Sequence, residues 1–333
     1  MKTYQQLWQS LTPLYDAGEA QAIVRTVLDV KYGMTLTDII SGKVNELSAD
    51  ESKNLEEIVD RLQKGEPVQY VLGQADFAGR TFHVEPGVLI PRPETAELCK
   101  WITEENKKRI LDICTGSGCI AITLGLNLTE AEVTGWDISE DALRIAQGNA
   151  KTLEAKNVKI EHQDALALPR DREKWDVIVS NPPYICEKEK KDMARNVLAY
   201  EPSIALFVPD EDPLKFYRAI ARYATKALKP GGTLYFEINP LYEKETREML
   251  EGFRFSNIET KEDSFGKKRM MKATAKDDSN LWKNDSTTKG MIYGLLLGTA
   301  IYAATKEVYW MPIGMLFGIA FTNIRKRNKK EKE

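Results

Sequence analysis

Between residues 109 and 274 short apolar strands alternate with longer amphipathic runs, and no other feature of the sequence narrows the fold as far. RILDI, EVTGW, VKIEH, WDVIVS, GTLYFEI, FSNIE and RMMKAT read as strands. GCIAITLGLNL, DALRIAQGNAKTLEA and FYRAIARYATKALKP, which lie between the earlier ones, read as helices. Crossovers of that length let neighbouring strands run parallel. The pattern therefore predicts an α/β domain with a seven-stranded, Rossmann-like, mostly parallel sheet covered by helices on both faces. The last two strands are joined by a short link, so one of them should run antiparallel.

The flanks differ in character. Residues 1–67 read as an acidic helical domain with seven basic and eleven acidic side chains. In SADESKNLEEIVDRLQKG, Ser48 is placed as an N-cap with Glu51 three residues on, and Pro67 blocks continuation beyond Gly65. Residues 68–90 are rich in β-branched and aromatic side chains and are cut by Gly73, Gly79 and Gly87, which predicts one or two β-hairpins as a connector. The sheet domain spans 91–275 and a polar linker follows over 276–289. Residues 290–324 hold two apolar runs, Met291 to Thr305 and Val308 to Ile324, separated by Lys306 and Glu307. Glycines at 290, 294 and 298 share one helical face. Neither run reaches the roughly 20 residues that span a bilayer comfortably. One reading is a short membrane hairpin that tethers the protein to the inner face of the cell membrane. The other is an apolar hairpin that docks on protein.

Charge narrows the function. The basic tail at 325–333 carries six basic and two acidic residues, and the whole chain has net charge −3. Everything before the tail is thus clearly acidic, a poor balance for gripping nucleic acid directly. Only His83 and His162 are present, so a histidine metal centre is nearly excluded. Cys99, Cys114, Cys119 and Cys186 form no C-x-x-C pair and read as free thiols of a cytoplasmic protein. The N-terminus MKTYQQLWQS lacks an apolar secretory core.

The first strand of the alternating region runs into Cys114-Thr115-Gly116-Ser117-Gly118 and then a helix. Small residues let a ligand approach the backbone, and the helix start offers free N–H groups. The next strand ends in Asp137, where a carboxylate can accept from both hydroxyls of a ribose. The third ends near Asp164, within reach of an adenine amino group. Taken alone, either aspartate is equally a solvated loop carboxylate or a helix N-cap. The turn is neither G-x-G-x-x-G nor a phosphate-binding G-x-x-x-x-G-K-[ST]. A nucleoside without phosphate fits better, and S-adenosylmethionine is the natural candidate.

WDVIVS ends in Asn181-Pro182-Pro183-Tyr184. Two prolines force a stiff, extended path and remove two N–H donors. The Asn181 side-chain oxygen and the Pro182 carbonyl can then converge on one planar NH2 group, with Tyr184 over its π face. An amide nitrogen is a poor nucleophile, and two acceptors that grip its N–H bonds both orient it and stabilise charge developing on it.

At this point the motifs resemble a known family, the bacterial peptide chain release factor glutamine N5-methyltransferases (the PrmC/HemK family). GEPVQYVLG (65–73), LIPRPETAEL (89–98), LDICTGSGCIAI (111–122), WDISEDAL (136–143), VSNPPYI (179–185), EPSIALF (201–207) and SFGKKRM (264–270) carry the resemblance. It implies an N-terminal helical domain that helps to hold the release factor and a methyltransferase domain that modifies the glutamine of a Gly-Gly-Gln loop. Residues 114–118, Asp137, Asp164, Ala165 and Asn181 are then expected to bind the cofactor. Asn181, Pro182, Pro183 and Tyr184 would hold the glutamine, and Arg92 to Thr95, Glu94 included, would close over the site. The chain departs from the pattern at Cys114, where glycine is usual and a Cβ is comfortable only at negative φ. Ala165 replaces a frequent aromatic, and the apolar tail is unusual for the family. Two other functions compete: an amino methyltransferase for DNA or RNA bases, and a non-catalytic cofactor-binding membrane module. The acidic N-terminal domain opposes the first and the intact NPPY opposes the second.

Overall fold

Seven strands form the central sheet of this computed structural model, which describes residues 2–105, 107–276, 286–306, 312, 313 and 316. Two strands precede that sheet, β1 (Gln74–Phe77) and β2 (Arg80–His83). Its members are β3 (Arg109–Ile113), β4 (Glu132–Asp137), β5 (Val158–His162), β6 (Trp175–Ser180), β9 (Leu228–Glu237), β10 (Ser256–Glu262) and β11 (Lys268–Thr274). The two-residue strands β7 (Ile185–Cys186) and β8 (Phe207–Val208) pair beside it. The order is β10-β11-β9-β6-β3-β4-β5. All neighbours are parallel except β11, which is antiparallel to both β9 and β10. The expected seven strands and the single reversed one are therefore present.

Side chains alternate between the faces at the strand period of two. Leu111, Ile113, Ile178, Leu234 and Phe236 pack on one face with Tyr217, Ile220 and Ala224 of helix Lys215–Ala227. Ile110, Val133, Val177, Val179 and Tyr235 pack on the other with Leu98 and Ile102 of helix Pro93–Thr103 and with Ile120 and Leu124 of helix Cys119–Asn127. Both faces are covered, which is why these strands read as continuous apolar runs.

The N-terminal helices have their own core, in which Val24, Val27 and Leu28 meet Leu55, Ile58 and Leu62. The reciprocal cap at Ser48 and Glu51 starts helix Ala49–Gln63 as predicted. A fourth cluster (Tyr70, Val84, Val88 and Ile90 against Ala142 and Ile145) joins the connector to the sheet domain. Residues 1–275 form one compact unit and 276–333 a second.

Two expectations need correction. Residues 68–90 are not wholly β: Val68–Leu72 is a short helix between Pro67 and a left-handed Gly73 at φ +73°, and one hairpin, β1–β2, follows it. In the tail, helix Ser286–Thr305 takes in the last four residues of the expected linker and stops where Lys306 turns to φ +62°. No helix among the described residues is long and apolar enough to cross a membrane. Tyr293, Thr299, Tyr302 and Thr305 dilute the apolar stretch of that helix. The second run of the expected hairpin and the basic tail lie almost wholly outside the described residues. The tether therefore finds no support.

Candidate active site

A cavity of about 380 Å³ opens at the carboxyl ends of β3, β4, β5 and β6. Its wall is built by the segments that leave those strands: Cys114–Ser117, Asp137–Ser139, Gln163–Leu166, and Asn181 with Pro183. Ligands of open α/β sheets bind at this edge.

The turn after β3 is held from three sides. Thr115 donates its N–H to the Trp136 carbonyl at 2.9 Å and its Oγ1–H to Asp112 Oδ2 at 2.6 Å. Gly116 donates its N–H to Asp137 Oδ2 at 2.9 Å. Asn149, buried in helix Glu140–Thr152, donates to the carbonyls of Ser117 (2.9 Å) and His83 (3.0 Å) and accepts the His83 N–H at 2.8 Å. Gly118 is the N-cap of helix Cys119–Asn127 at φ +80°. A Cβ there would stand 2.9 Å from Ile122 Cδ1 and 3.1 Å from Ala146 Cβ. Gly118 thus shapes the turn and, unlike residues 114–117, does not line the cavity.

Cys114 adopts φ +65°, opposite in sign to the value its Cβ would prefer. A left-handed residue with a Cβ costs about 1–2 kcal/mol. The turn keeps the backbone shape that glycine would give and fills it with a thiol in the cavity wall. Burial pushes that thiol up, and the carboxylates of Asp137 and Asp112 add to the effect. Cys114 therefore holds its proton more firmly than a free thiol and serves as packing in the wall.

The charged groups suit a zwitterionic nucleoside. Burial raises the Asp137 carboxyl, while N–H groups of Ser139, Gly116 and Ile138 pull it back. Each of its oxygens accepts one backbone N–H, from Gly116 and from Ser139 at 3.0 Å, and has a further lone pair available. Asp112 is wholly buried and burial pushes it up to about 7. Its Oδ1 and the Ser117 Oγ are buried without a hydrogen-bond partner among the described residues. Of the two residues, only Ser117 lies in the cavity wall, just before helix Cys119–Asn127. Asp164 accepts the Leu166 N–H at 2.7 Å, which fixes the turn after β5 and leaves the second carboxyl oxygen available.

Ala165 lies in the wall with no ring to offer. Ile138 and Leu166, each 43% exposed, stand in the same wall as apolar surface for a flat base. Sequence reading passed over both; the available signal was an apolar residue just beyond each strand-end aspartate. Together the turn, Asp137 and these apolar side chains fit S-adenosylmethionine.

On the acceptor side, Asn181 and Pro183 are in the wall, whereas Pro182 and Tyr184 are not. Neither the Asn181 amide nor the Pro182 carbonyl hydrogen-bonds to a described residue. The Tyr184 ring packs against the sheet core, and its hydroxyl donates to Glu237 Oε1 at 3.0 Å. Its expected place over the acceptor π face is thus not the one observed. Arg92 and Thr95 line the cavity, while Glu94 stands outside the wall, 3.9 Å from Arg269.

Glu201 and Glu237 were missed. The Glu201 side chain, 1% exposed, meets Arg92 at 2.6 Å and accepts the Ile90 N–H at 3.1 Å, so it holds the strip 90–92 in place. Its only signal was membership of EPSIALF. Glu237 was visible as a lone acid closing the apolar strand TLYFE.

Comparison with known proteins agrees with this geometry. A methyltransferase domain profile matches residues 104–296 and a PrmC N-terminal domain profile matches 12–73. The release factor glutamine methyltransferase of Bacteroides thetaiotaomicron is 49% identical over 268 residues, covering 80% of this chain and 96% of that one. Its counterpart in Flavobacterium psychrophilum is 41% identical over 280 residues (82% and 98%), and that of Clostridium acetobutylicum 40% over 231 residues (68% and 81%). With both domains matched and the first two relatives covered almost end to end, the chain belongs to the release factor glutamine methyltransferase family and uses S-adenosylmethionine.

Proposed function

We propose that this chain methylates the side-chain amide nitrogen of the glutamine in the Gly-Gly-Gln loop of peptide chain release factors. The observation that carries this reading is the Asn181 side chain. It stands free of described partners in the wall of the same cavity as Asp137 and the 114–117 turn. When bound, S-adenosylmethionine supplies an electrophilic methyl group on a sulfonium.

The chain's own residues do the rest. The 114–117 turn, with Asp137, Ile138 and Leu166, would hold the nucleoside. Asn181 Oδ1 and the Pro182 carbonyl would accept the two N–H bonds of the glutamine amide and fix its nitrogen in line for transfer. The same acceptors favour positive charge as it builds on nitrogen. The methylated nitrogen is acidic and loses its surplus proton to water, so no histidine base is required. Arg92, held by Glu201, would keep the strip 90–92 over the site. All four cysteines are free, which suits the reducing cytoplasm where release factors act.

Incubation with cofactor labelled on its methyl group tests the reading, with purified release factor and ribosomal RNA offered together. Label is expected in the release factor. Label confined to the RNA would overturn the assignment.

A further inference from the structure

Glu237 closes β9 with its side chain buried and touches two motifs at once. Its Oε2 accepts the Thr95 hydroxyl at 2.6 Å and its Oε1 accepts the Tyr184 hydroxyl at 3.0 Å. Thr95 lies in the first turn of helix Pro93–Thr103 and in the cavity wall, whereas Tyr184 ends NPPY. Two residues on, Asn239 donates its Nδ2–H to the Tyr184 carbonyl at 3.2 Å, so the exit of β9 grips Tyr184 at both ends. Tyr217 donates to the Glu237 carbonyl at 3.1 Å and fixes the strand itself. Arg269, which is paired with Asp263 at 2.9 Å and lies near Glu94, sets its charge beside the group.

A buried carboxylate loses hydration that an apolar side chain would never need. The three residues before Glu237, Leu234, Tyr235 and Phe236, are buried and already fill both faces. The return must therefore lie in what the acid connects. Two hydroxyl donors approach different oxygens from different elements, and a carboxylate presents an acceptor oxygen to each.

We infer that Glu237 is a positioning residue for methyl transfer: it ties the helix start at Thr95 to NPPY at Tyr184 and thereby fixes the direction of the Asn181 acceptor. This rests on the function proposed above. Glu237 does not line the cavity and touches neither substrate nor cofactor. It acts through Tyr184 and the stiff dipeptide before it. The convergence also gives work to SFGKKRM, whose Arg269 brings a positive charge to this group of acids.

Glu237→Gln keeps the volume but offers one acceptor and one donor, so one hydroxyl loses its partner. Tyr184→Phe removes the same bond from the other side and leaves the carboxylate bonded to Thr95. Methylation of a purified release factor by wild type, each variant and the double variant forms a cycle. Glu237→Gln is expected to lower kcat about tenfold and to leave cofactor KM within about twofold. The loss caused by Tyr184→Phe should shrink at least about threefold in the Glu237→Gln background. An unchanged kcat, or losses that simply multiply, would overturn the proposal. Hydrogen exchange read by mass spectrometry supplies a substrate-free arm. Amides of 93–99 and 181–187 should exchange at least about threefold faster in either variant, with other segments unchanged. Unaltered exchange in both segments also overturns it, whatever the wild type methylates. A wild type inactive on release factors would instead defeat the functional reading and leave the exchange arm to judge Glu237.

Discussion

Cys114 shows how one residue can satisfy a backbone and still strain it. The turn after β3 demands the left-handed region, and Cys114 supplies φ +65° despite its Cβ. Cys114→Gly relieves about 1–2 kcal/mol of strain and loses about 0.5–1 kcal/mol to the freer unfolded chain. A net gain of about 0.5 kcal/mol is expected from denaturant unfolding, and a loss above about 1 kcal/mol would show that thiol packing outweighs the strain. Asp112 gives a second test at this scale. Its carboxyl, 3.8 when unperturbed, is pushed up to about 7 in the folded chain, so the folded state holds the proton more tightly. The stability that this adds is complete below the unfolded value and disappears as pH rises toward about 7. Asp112→Asn keeps an acceptor for Thr115 and Ala121 and cannot ionise. Its melting temperature should exceed that of the wild type by a margin that widens from about pH 4 to about pH 7. A margin independent of pH would contradict the burial argument.

Elements explain why much of this protein could be read in advance and some of it could not. The central strands are buried on both faces, so their apolar runs announce them without any knowledge of partners. VQYVL misled because the same β-branched and aromatic residues fit a short helix once Pro67 opens it and Gly73 closes it in the left-handed region. The strand ends pointed to the turn, Asp137 and Asn181, and the fold brings these residues to one cavity because each follows or ends a strand at the carboxyl edge. Glu201 and Glu237 escaped because their partners are far away in sequence. Arg92 and Glu201 are 109 residues apart, and Thr95 and Glu237 are 142 apart. Only the folded sheet brings them together. Glu201→Ala leaves the Ile90 N–H and the Arg92 guanidinium without their shared acceptor. A loss of about 2–4 kcal/mol is expected, together with weaker cofactor binding measured calorimetrically, since Arg92 lines the cavity. Native-like stability and affinity would remove Glu201 from the account.

At the level of the whole molecule, residues 1–275 hold both the helical N-terminal core and the methyltransferase sheet in one unit. The tail from 276 forms another, and about a fifth of the chain lies outside the alignment with the Bacteroides relative. Its apolar composition suggested a bilayer because hydropathy was the only guide; the described helix Ser286–Thr305 falls short of that requirement. The function proposed above rests instead on one edge of one sheet, where the cavity that would hold the nucleoside is also lined by Asn181. The most direct test is mass spectrometry of a release factor digest after incubation with S-adenosylmethionine and either the wild type or Asn181→Ala. One added methyl on the glutamine of the Gly-Gly-Gln loop is predicted for the wild type, with nearly all of it lost in Asn181→Ala while cofactor binding persists. A methyl placed elsewhere, or equal methylation by the variant, would contradict the account.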